Sequence, residues 1–328
     1  GFIVLDEIRW FTSSKEGMEQ LEMLIKRDRN RPSVFFWCIG NEEMLFAEER
    51  GRRILESLLA RTRQLDATRP VTAACDRPDN STVYDNLDVV GINYGLDSYD
   101  AVHKKFPDRA VVSTECCATS TTRGWYYDDF PAMGLTNCYD RDWSDWFRGR
   151  ERTWKFIDER EWVMGSYQWI GFDHRGETVW PRLSSCSGAI DMFLLKKDAF
   201  WHNKALWTRE PMIHLLPHWN HPGHEGEIIK VWAYTNCDSA ELFVDGVSRG
   251  KVELQPHDHA AWEVEYHPGK IEVVGYKDGR ECCRDAHLLY SRQRRKRSSD
   301  SRPHCTLCSE QARRNLGNRL RSVRPRTG

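Results

Sequence analysis

The chain has 328 residues, a net charge of −1 and 14 tryptophans, and 40% of its residues are hydrophobic, so it can bury a large core. No stretch approaches the roughly 18 consecutive apolar residues that span a bilayer, so we expect a soluble protein without a membrane partner. Residues 291–328 hold 12 Lys or Arg against 2 Asp or Glu; the remainder is acidic, which argues against nucleic acid as a partner.

Short apolar segments alternate with helix-period segments through the first 210 residues. The predicted strands are 2–6, 34–39, 71–74, 87–93, 110–114 and 163–169. Apolar residues at helical spacing predict helices around 18–25, 54–65 and 101–106, and a further helix within 143–160. Because the strands are almost continuously apolar and alternate with helices, they indicate a parallel α/β sheet that is covered on both faces.

The number of these units predicts part of a barrel. A complete (β/α)8 TIM barrel typically takes about 250 residues, whereas the six units here end near residue 209. We therefore interpret residues 1–210 as a partial TIM barrel that contains strands 3–8. The sequence begins at Gly1 and enters an apolar strand at once. We interpret it as an N-terminally truncated fragment, so its localisation stays unassigned.

The pattern changes after Pro211. Short strands are predicted at 228–234, 240–244, 261–266 and 271–276, separated by turn dipeptides such as Asp245-Gly246 and Asp278-Gly279. This spacing is typical of a small antiparallel sandwich, so we expect an immunoglobulin-like domain over residues 211–290.

Residues 291–328 are rich in Arg and Ser and form a third segment. A disordered tail and a non-native sequence produced by a reading-frame change both fit this composition. A nucleic-acid-binding arm is less well supported, because no aromatic residues accompany the charges. The Cys305-x-x-Cys308 pair has no second pair of ligands, and the eleven cysteines are an odd number. We expect mostly free thiols, no metal site and no cofactor.

Two predicted strands end in a glutamate. The strand at 34–39 continues into Gly40-Asn41-Glu42, and the strand at 110–114 is followed by Glu115. The carboxyl ends of parallel barrel strands form one edge, which carries the active site in such enzymes. Either residue alone could be a helix cap or an ion-pair partner. Two together supply the acid and the nucleophile that glycoside hydrolysis requires.

The segment from Asn30 to Glu42 resembles the acid/base signature of glycoside hydrolase family 2, which includes β-galactosidases, β-glucuronidases and β-mannosidases. Similar segments follow in the expected order at 88–94, 111–115, 167–176 and 218–225, so the resemblance covers residues 1–290. It implies a retaining β-glycosidase in which Glu42, on barrel strand 4, is the acid/base. Glu115, on strand 7, is then the nucleophile.

The resemblance also implies substrate-binding residues. Asn41 would bind the sugar 2-hydroxyl, and Tyr94 would orient the nucleophile. Trp169 would form a floor for the sugar ring, although a core position at the barrel rim is equally open. Asp6 is a candidate substrate contact, although loop support or an ion pair is the favoured role. Arg123 is expected to orient the nucleophile or to line the pocket.

The identity of the sugar rests on one loop. Family 2 glucuronidases use an Asn-x-Lys element to bind the sugar carboxylate, and residues 188–195 contain no such element. We therefore favour terminal β-D-galactosides, with β-glucuronides second. The rival from another class is a non-catalytic carbohydrate-binding fragment. The sequence leaves open whether the full-length parent forms a homo-oligomer.

Overall fold

The computed structural model describes residues 2–288, except for the side chain of Phe130. These residues belong to one compact unit. The segment 291–328, predicted to be disordered or non-native, lies outside the described residues, as does the Cys305-x-x-Cys308 pair.

The first part of the chain forms a six-stranded parallel sheet with the strands in sequence order. All six predicted strands are present, and their ends lie within three residues of the prediction. With helices between the strands, this is the predicted partial TIM barrel. The strands are β1 (Val4–Glu7), β2 (Val34–Asn41), β3 (Val71–Cys75), β4 (Val90–Asn93), β5 (Val111–Cys116) and β6 (Val163–Gln168).

Amphipathic helices cover the outer face of this sheet. The first begins after Ser14, whose side chain accepts a hydrogen bond from the backbone N–H of Gly17 at 3.3 Å. Its buried Leu21 and Ile25 share a core with Leu58 of the second helix. The helices are α1 (Lys15–Asp28), α2 (Glu49–Leu65), α3 (Tyr99–Lys105), α4 (Phe130–Met133), α5 (Arg150–Asp158) and α6 (Asp198–Trp207).

The second part consists of two antiparallel sheets around a common core, as the sandwich prediction requires. One sheet has the order β10-β9-β12-β13, and the other has the order β11-β8-β7. The core between them includes Leu215, Val231, Leu242, Trp262 and Val273. The strands are β7 (Ile213–Leu216), β8 (Ile228–Thr235), β9 (Ser239–Val244), β10 (Val247–Glu253), β11 (His259–Glu265), β12 (Lys270–Lys277) and β13 (Arg280–Leu288).

The sequence did not predict β7, β10 or β13. The reason is visible in β10, which exposes almost every side chain and so lacks an alternating apolar pattern. The change from parallel to antiparallel architecture falls between Trp207 and Ile213. The domain boundary at 210/211 stays a prediction. Within residues 2–288, none of the helices combines the length and the apolar character needed to cross a bilayer.

The barrel core gives a test of the fold. Leu58 is fully buried, whereas Met23 on α1 is 64% exposed. We expect Leu58→Ala to lower the free energy of unfolding by about 2–5 kcal/mol, because it removes buried methyl groups and leaves a cavity. Met23→Ala should change it by less than about 0.5 kcal/mol. Urea unfolding followed by tryptophan fluorescence measures both, and similar losses in the two variants would contradict this packing.

Candidate active site

Polar side chains follow three strands of the parallel sheet at the same edge. Glu42 comes directly after β2, Tyr94 directly after β4, and Glu115 lies near the end of β5. All three line a cavity of about 350 Å³, together with Asn41 and Trp169. The structure thus brings five of the seven predicted site residues to one cavity at the carboxyl edge of the sheet.

The backbone turns sharply where these strands end. Glu42 has a φ of 49° and Tyr94 a φ of 55°, both in the left-handed region that non-glycine residues rarely adopt. Each turn is held by a hydrogen bond: the Glu42 N–H donates to the Ala74 carbonyl, and the Tyr94 N–H donates to the Glu115 carbonyl, both at 2.8 Å. Strain of this kind, of order 1–3 kcal/mol per residue, is concentrated at functional sites.

Asn93, the last residue of β4, connects the elements of the site. Its side-chain nitrogen donates to Glu42 Oε1 and to Asn41 Oδ1, both at 2.9 Å. Its own oxygen accepts a hydrogen bond from the Thr114 hydroxyl at 2.6 Å. Because Asn41 accepts with its oxygen, its side-chain NH₂ is the group available to a ligand. The sequence analysis overlooked Asn93, although it ends a strand at the edge where the glutamates lie.

Tyr94 contacts the second glutamate. Its hydroxyl donates to Glu115 Oε2 at 2.6 Å, a short distance typical of a hydrogen bond to a carboxylate. The Tyr94 ring packs edge-on against Phe147, with ring centroids 4.8 Å apart. The ring and the carboxylate therefore restrict each other's orientation.

Burial and mutual repulsion set the charge of the glutamate pair. Burial raises the pKa of Glu115 to about 7, and the hydrogen bond from Tyr94 opposes this shift while the charge of Glu42 adds to it. Burial also raises the pKa of Glu42, against the hydrogen bond from Asn93. Because each negative charge disfavours the other, the pair retains one proton more readily than two isolated carboxyls would near neutral pH.

Trp169 lies directly after β6 and lines the cavity. Its backbone N–H donates to the Cys116 carbonyl at 2.8 Å, and its indole N–H donates to Glu177 Oε2 at 3.2 Å. The loop that contains Glu177 was missed by the sequence analysis because it has no periodic pattern. The further lining residues from this loop and the 143–147 loop are Trp143, Phe147, Val179, Arg182, Ser185 and Ser187.

The structure places Asp6 outside the site. Its side chain lies near Asp28 at the end of α1; burial raises the pKa of Asp6 to about 6, and the neighbouring Asp28 adds to the shift. Glu7 lies on the other face, where it accepts from the Cys38 thiol at 3.1 Å and its charge raises the pKa of Glu115. The prediction of Asp6 as a substrate contact was wrong because successive strand residues point to opposite faces.

Arg123 also lies apart from the glutamate pair. Its Nε donates to Asp191 Oδ2 at 2.5 Å, in an ion pair between two loops. Arg123 therefore does not orient Glu115, in contrast to the prediction. Its partner lies 68 residues further along the chain, a pairing that no local sequence pattern indicates.

Comparison with known proteins agrees with this architecture. Residues 6–123 match the family described as "Glycosyl hydrolases family 2, TIM barrel domain", and residues 226–283 match DUF4982, a domain of unknown function. The chain thus belongs, through its barrel, to glycoside hydrolase family 2.

Three relatives illustrate the similarity. The β-galactosidase BoGH2A of Bacteroides ovatus is 32% identical over 85% of this chain and 40% of its own length. A putative β-glucuronidase of Formosa agariphila is 28% identical over 85% of this chain and 31% of its own. The crystal structure of a β-glycosidase from Bacteroides vulgatus is 33% identical, with a TM-score of 0.72 over 84% of this chain and 38% of that one. The chain therefore spans less than half of each relative.

The hydrogen bond between Tyr94 and Glu115 predicts a measurable effect on titration. Tyr94→Phe removes a donor that favours ionised Glu115, so the pKa of Glu115 should rise from about 7 to about 8 or higher. Carbon-13 NMR of protein labelled at the glutamate carboxyls measures this, with Glu115→Gln identifying the signal. Tyr127→Phe removes a hydroxyl that contacts His221 instead and should leave the titration unchanged. An unaltered Glu115 titration in Tyr94→Phe would contradict the contact.

Proposed function

We propose that the protein is a retaining β-glycosidase that hydrolyses terminal β-D-galactosides by double displacement. The observation that carries the proposal is the pair of glutamates on one cavity, each held by its own donor. Asn93 holds Glu42 at 2.9 Å, and Tyr94 holds Glu115 at 2.6 Å. Retaining glycosidases need two carboxyl groups in different protonation states on opposite sides of the scissile bond.

In the first step, ionised Glu115 attacks the anomeric carbon of the sugar. Tyr94 engages Oε2 of Glu115, which leaves Oε1 to form the new bond. Glu42 donates its proton to the glycosidic oxygen, so the aglycone leaves as a neutral alcohol. The side-chain NH₂ of Asn41 is suited to donate to the sugar 2-hydroxyl, an interaction that strengthens in the oxocarbenium-like transition state.

In the second step, Glu42 changes its role. Formation of the glycosyl ester removes the negative charge of Glu115, which otherwise helps to hold the proton on Glu42. Glu42, now ionised, accepts a proton from a water molecule as that water attacks the anomeric carbon. The ester bond breaks, the sugar leaves with retained configuration, and both carboxyls return to their starting protonation states.

The charges around the cavity support a neutral sugar. Glu177 lines the cavity beside the catalytic pair, and its charge raises the pKa of Glu42. Lys197, which follows residues 188–195, is fully buried and paired with Asp173 at 2.7 Å. Lys204 lines a separate cavity beside β6. These positions offer no lysine to a sugar carboxylate.

A β-glucuronidase activity is the second candidate, and one observation favours it. Arg182 lines the cavity, and a guanidinium is well suited to bind a carboxylate with two parallel hydrogen bonds. Relatives described as β-galactosidase and as β-glucuronidase are both similar to this chain.

The assigned roles predict different behaviour for the two glutamates. Glu115→Gln should lower kcat by at least about 10⁴-fold for every substrate, because no nucleophile is left. Glu42→Gln should lower kcat/KM by about 10²–10⁴-fold for alkyl galactosides but far less for dinitrophenyl galactoside, whose leaving group needs no proton. Both are measured in the longest form of the protein that its gene encodes.

Glu43→Gln is the matched control, since Glu43 neighbours Glu42 in sequence but does not line the cavity. A 2-deoxy-2-fluoro-galactosyl fluoride should label Glu115 covalently, and peptide mass spectrometry locates the label. If Glu115→Gln retained most of the activity, this result would contradict the assignment of Glu115 as the nucleophile. Absence of both turnover and labelling would favour the non-catalytic carbohydrate-binding alternative.

The substrate class has its own test. We expect kcat/KM for nitrophenyl β-galactoside to exceed that for nitrophenyl β-glucuronide by about 100-fold or more, because a carboxylate would lie near Glu177. Arg182→Gln should then affect both substrates to a similar extent. Arg175→Gln, in the same loop but outside the cavity lining, is the control. A preference for glucuronide that is lost in Arg182→Gln alone would establish the second candidate instead.

A further inference from the structure

Three cysteines of the sandwich converge on one point. Cys237 lies in the turn between β8 and β9, whereas Cys282 and Cys283 are neighbours on β13. The Sγ atom of Cys237 is 3.4 Å from that of Cys282 and 3.4 Å from that of Cys283, and the latter two are 3.8 Å apart. Among residues 2–288, this is the one group of three or more His, Cys, Asp or Glu side chains whose ligand atoms lie close enough together to hold a metal ion.

A β-bulge explains how two consecutive residues can face the same point. In a regular strand, neighbouring side chains point to opposite faces. Here Gly275 of β12 pairs with Cys283 and Tyr276 pairs with Glu281, so Cys282 is an extra residue without a partner in the ladder. Such a bulge bends the strand and redirects a side chain. The Cys282 thiol consequently lies beside the Cys283 thiol.

The residue opposite the bulge leaves room for the sulfur atoms. A Cβ added to Gly275 would lie 2.8 Å from Cys237 Sγ and 2.9 Å from Cys283 Sγ. Both distances are shorter than van der Waals contact. Glycine at this position therefore permits the three thiols to meet, and any larger residue would separate them.

The distances match metal coordination better than a disulfide bond. Tetrahedral zinc with Zn–S bonds of about 2.3 Å places its sulfur ligands about 3.8 Å apart. The observed 3.4, 3.4 and 3.8 Å lie close to this value. A disulfide would require one pair to approach to about 2.05 Å and would leave the third thiol without a role.

Without a metal ion the cluster favours a single thiolate, at Cys237: burial raises the pKa of Cys282, and the hydrogen bond to Cys237 raises the pKa of Cys283. The hydrogen bond from Cys283 lowers the pKa of Cys237 to about 6, and the positive charge of Lys277 contributes in the same direction. Thiolates are the form in which cysteine binds metals. One divalent cation with three thiolates carries a net negative charge, which Lys277 partly compensates.

We infer that Cys237, Cys282 and Cys283 form a structural site for a thiophilic divalent cation, of which Zn²⁺ is the representative. Cys282 is exposed whereas Cys237 is buried, so the fourth coordination position opens to solvent. The ion would join the turn before β9 to the outermost strand β13, across sequence separations of 45 and 46 residues. This site lies outside the glycosidase cavity, and the inference does not depend on the proposed function.

The experiment uses the full 328-residue chain with Cys305 and Cys308 replaced by Ser, so that this pair cannot contribute. After reduction and removal of metal, Zn²⁺ and Cd²⁺ are titrated under anaerobic conditions. We expect one metal per chain, a thiolate-to-Cd²⁺ charge-transfer absorption, and a higher Tm with Zn²⁺. Cys237→Ser should weaken Zn²⁺ binding by at least about 100-fold and abolish the Tm increase.

Cys186→Ser is the matched control, since this partly buried thiol lies outside the cluster, and it should bind Zn²⁺ like the parent. Should Cys237→Ser fail to fold, as judged by near-ultraviolet circular dichroism, the exposed Cys282→Ser variant should show the same loss. Absence of stoichiometric binding by the parent, or equal binding by the folded Cys variants, would overturn the inference. So would a disulfide between Cys237 and either partner in protein prepared without oxidant.

Discussion

The Asn93 side chain is the interaction on which the candidate active site depends. It is fully buried and contacts Glu42, Asn41 and Thr114, which belong to or directly follow two other strands. A buried amide makes such bonds strongly orientation-dependent, because each unsatisfied group costs about 1–3 kcal/mol. The Thr114 hydroxyl accordingly fixes which end of the Asn93 amide faces Glu42. Since Glu42 is held by this donor, the orientation of its carboxyl group is set by the sheet and not by a flexible loop.

A second constraint acts through charge. Glu7, Glu42 and Glu115 belong to or directly follow three strands; the charge of Glu42 raises the pKa of both Glu7 and Glu115, and the charge of Glu7 also raises the pKa of Glu115. This arrangement destabilises full ionisation, which a structural site would avoid by pairing each carboxylate with a cation. Here neutral donors hold the two glutamates: an amide for Glu42 and a phenol for Glu115. Neutral donors orient carboxyl groups without fixing the ionised state, so a proton can still be exchanged during a reaction.

The difference between predicted and missed features follows from their range along the chain. The strands and their terminal glutamates could be predicted, because strand position and chain direction determine which residues reach the carboxyl edge. Asp6 was predicted as the site residue of β1, but Glu7, the next residue, is the one that faces the site. A shift of one residue along a strand moves the side chain to the opposite face of the sheet. The contact of Arg123 could not be predicted, because its partner, Asp191, is distant in sequence. The thiol cluster could not be foreseen, since it requires a bulge in β13 that no residue pattern marks.

The strands that carry the site residues differ in their position within the sheet. β2, β4 and β5, which carry or precede Asn41, Glu42, Tyr94 and Glu115, each have a hydrogen-bonded strand on both sides. β6, which precedes Trp169, is an edge strand of the described sheet and borders an apolar cavity of about 510 Å³. Interior strands are restrained by two ladders of hydrogen bonds and edge strands by one. The geometry of the glutamate pair is therefore set within the sheet itself, whereas the position of Trp169 depends on the loops that pack around β6. The two glutamates and Trp169 thus rest on separate structural supports, and the loops around β6 can change without disturbing the two carboxyls.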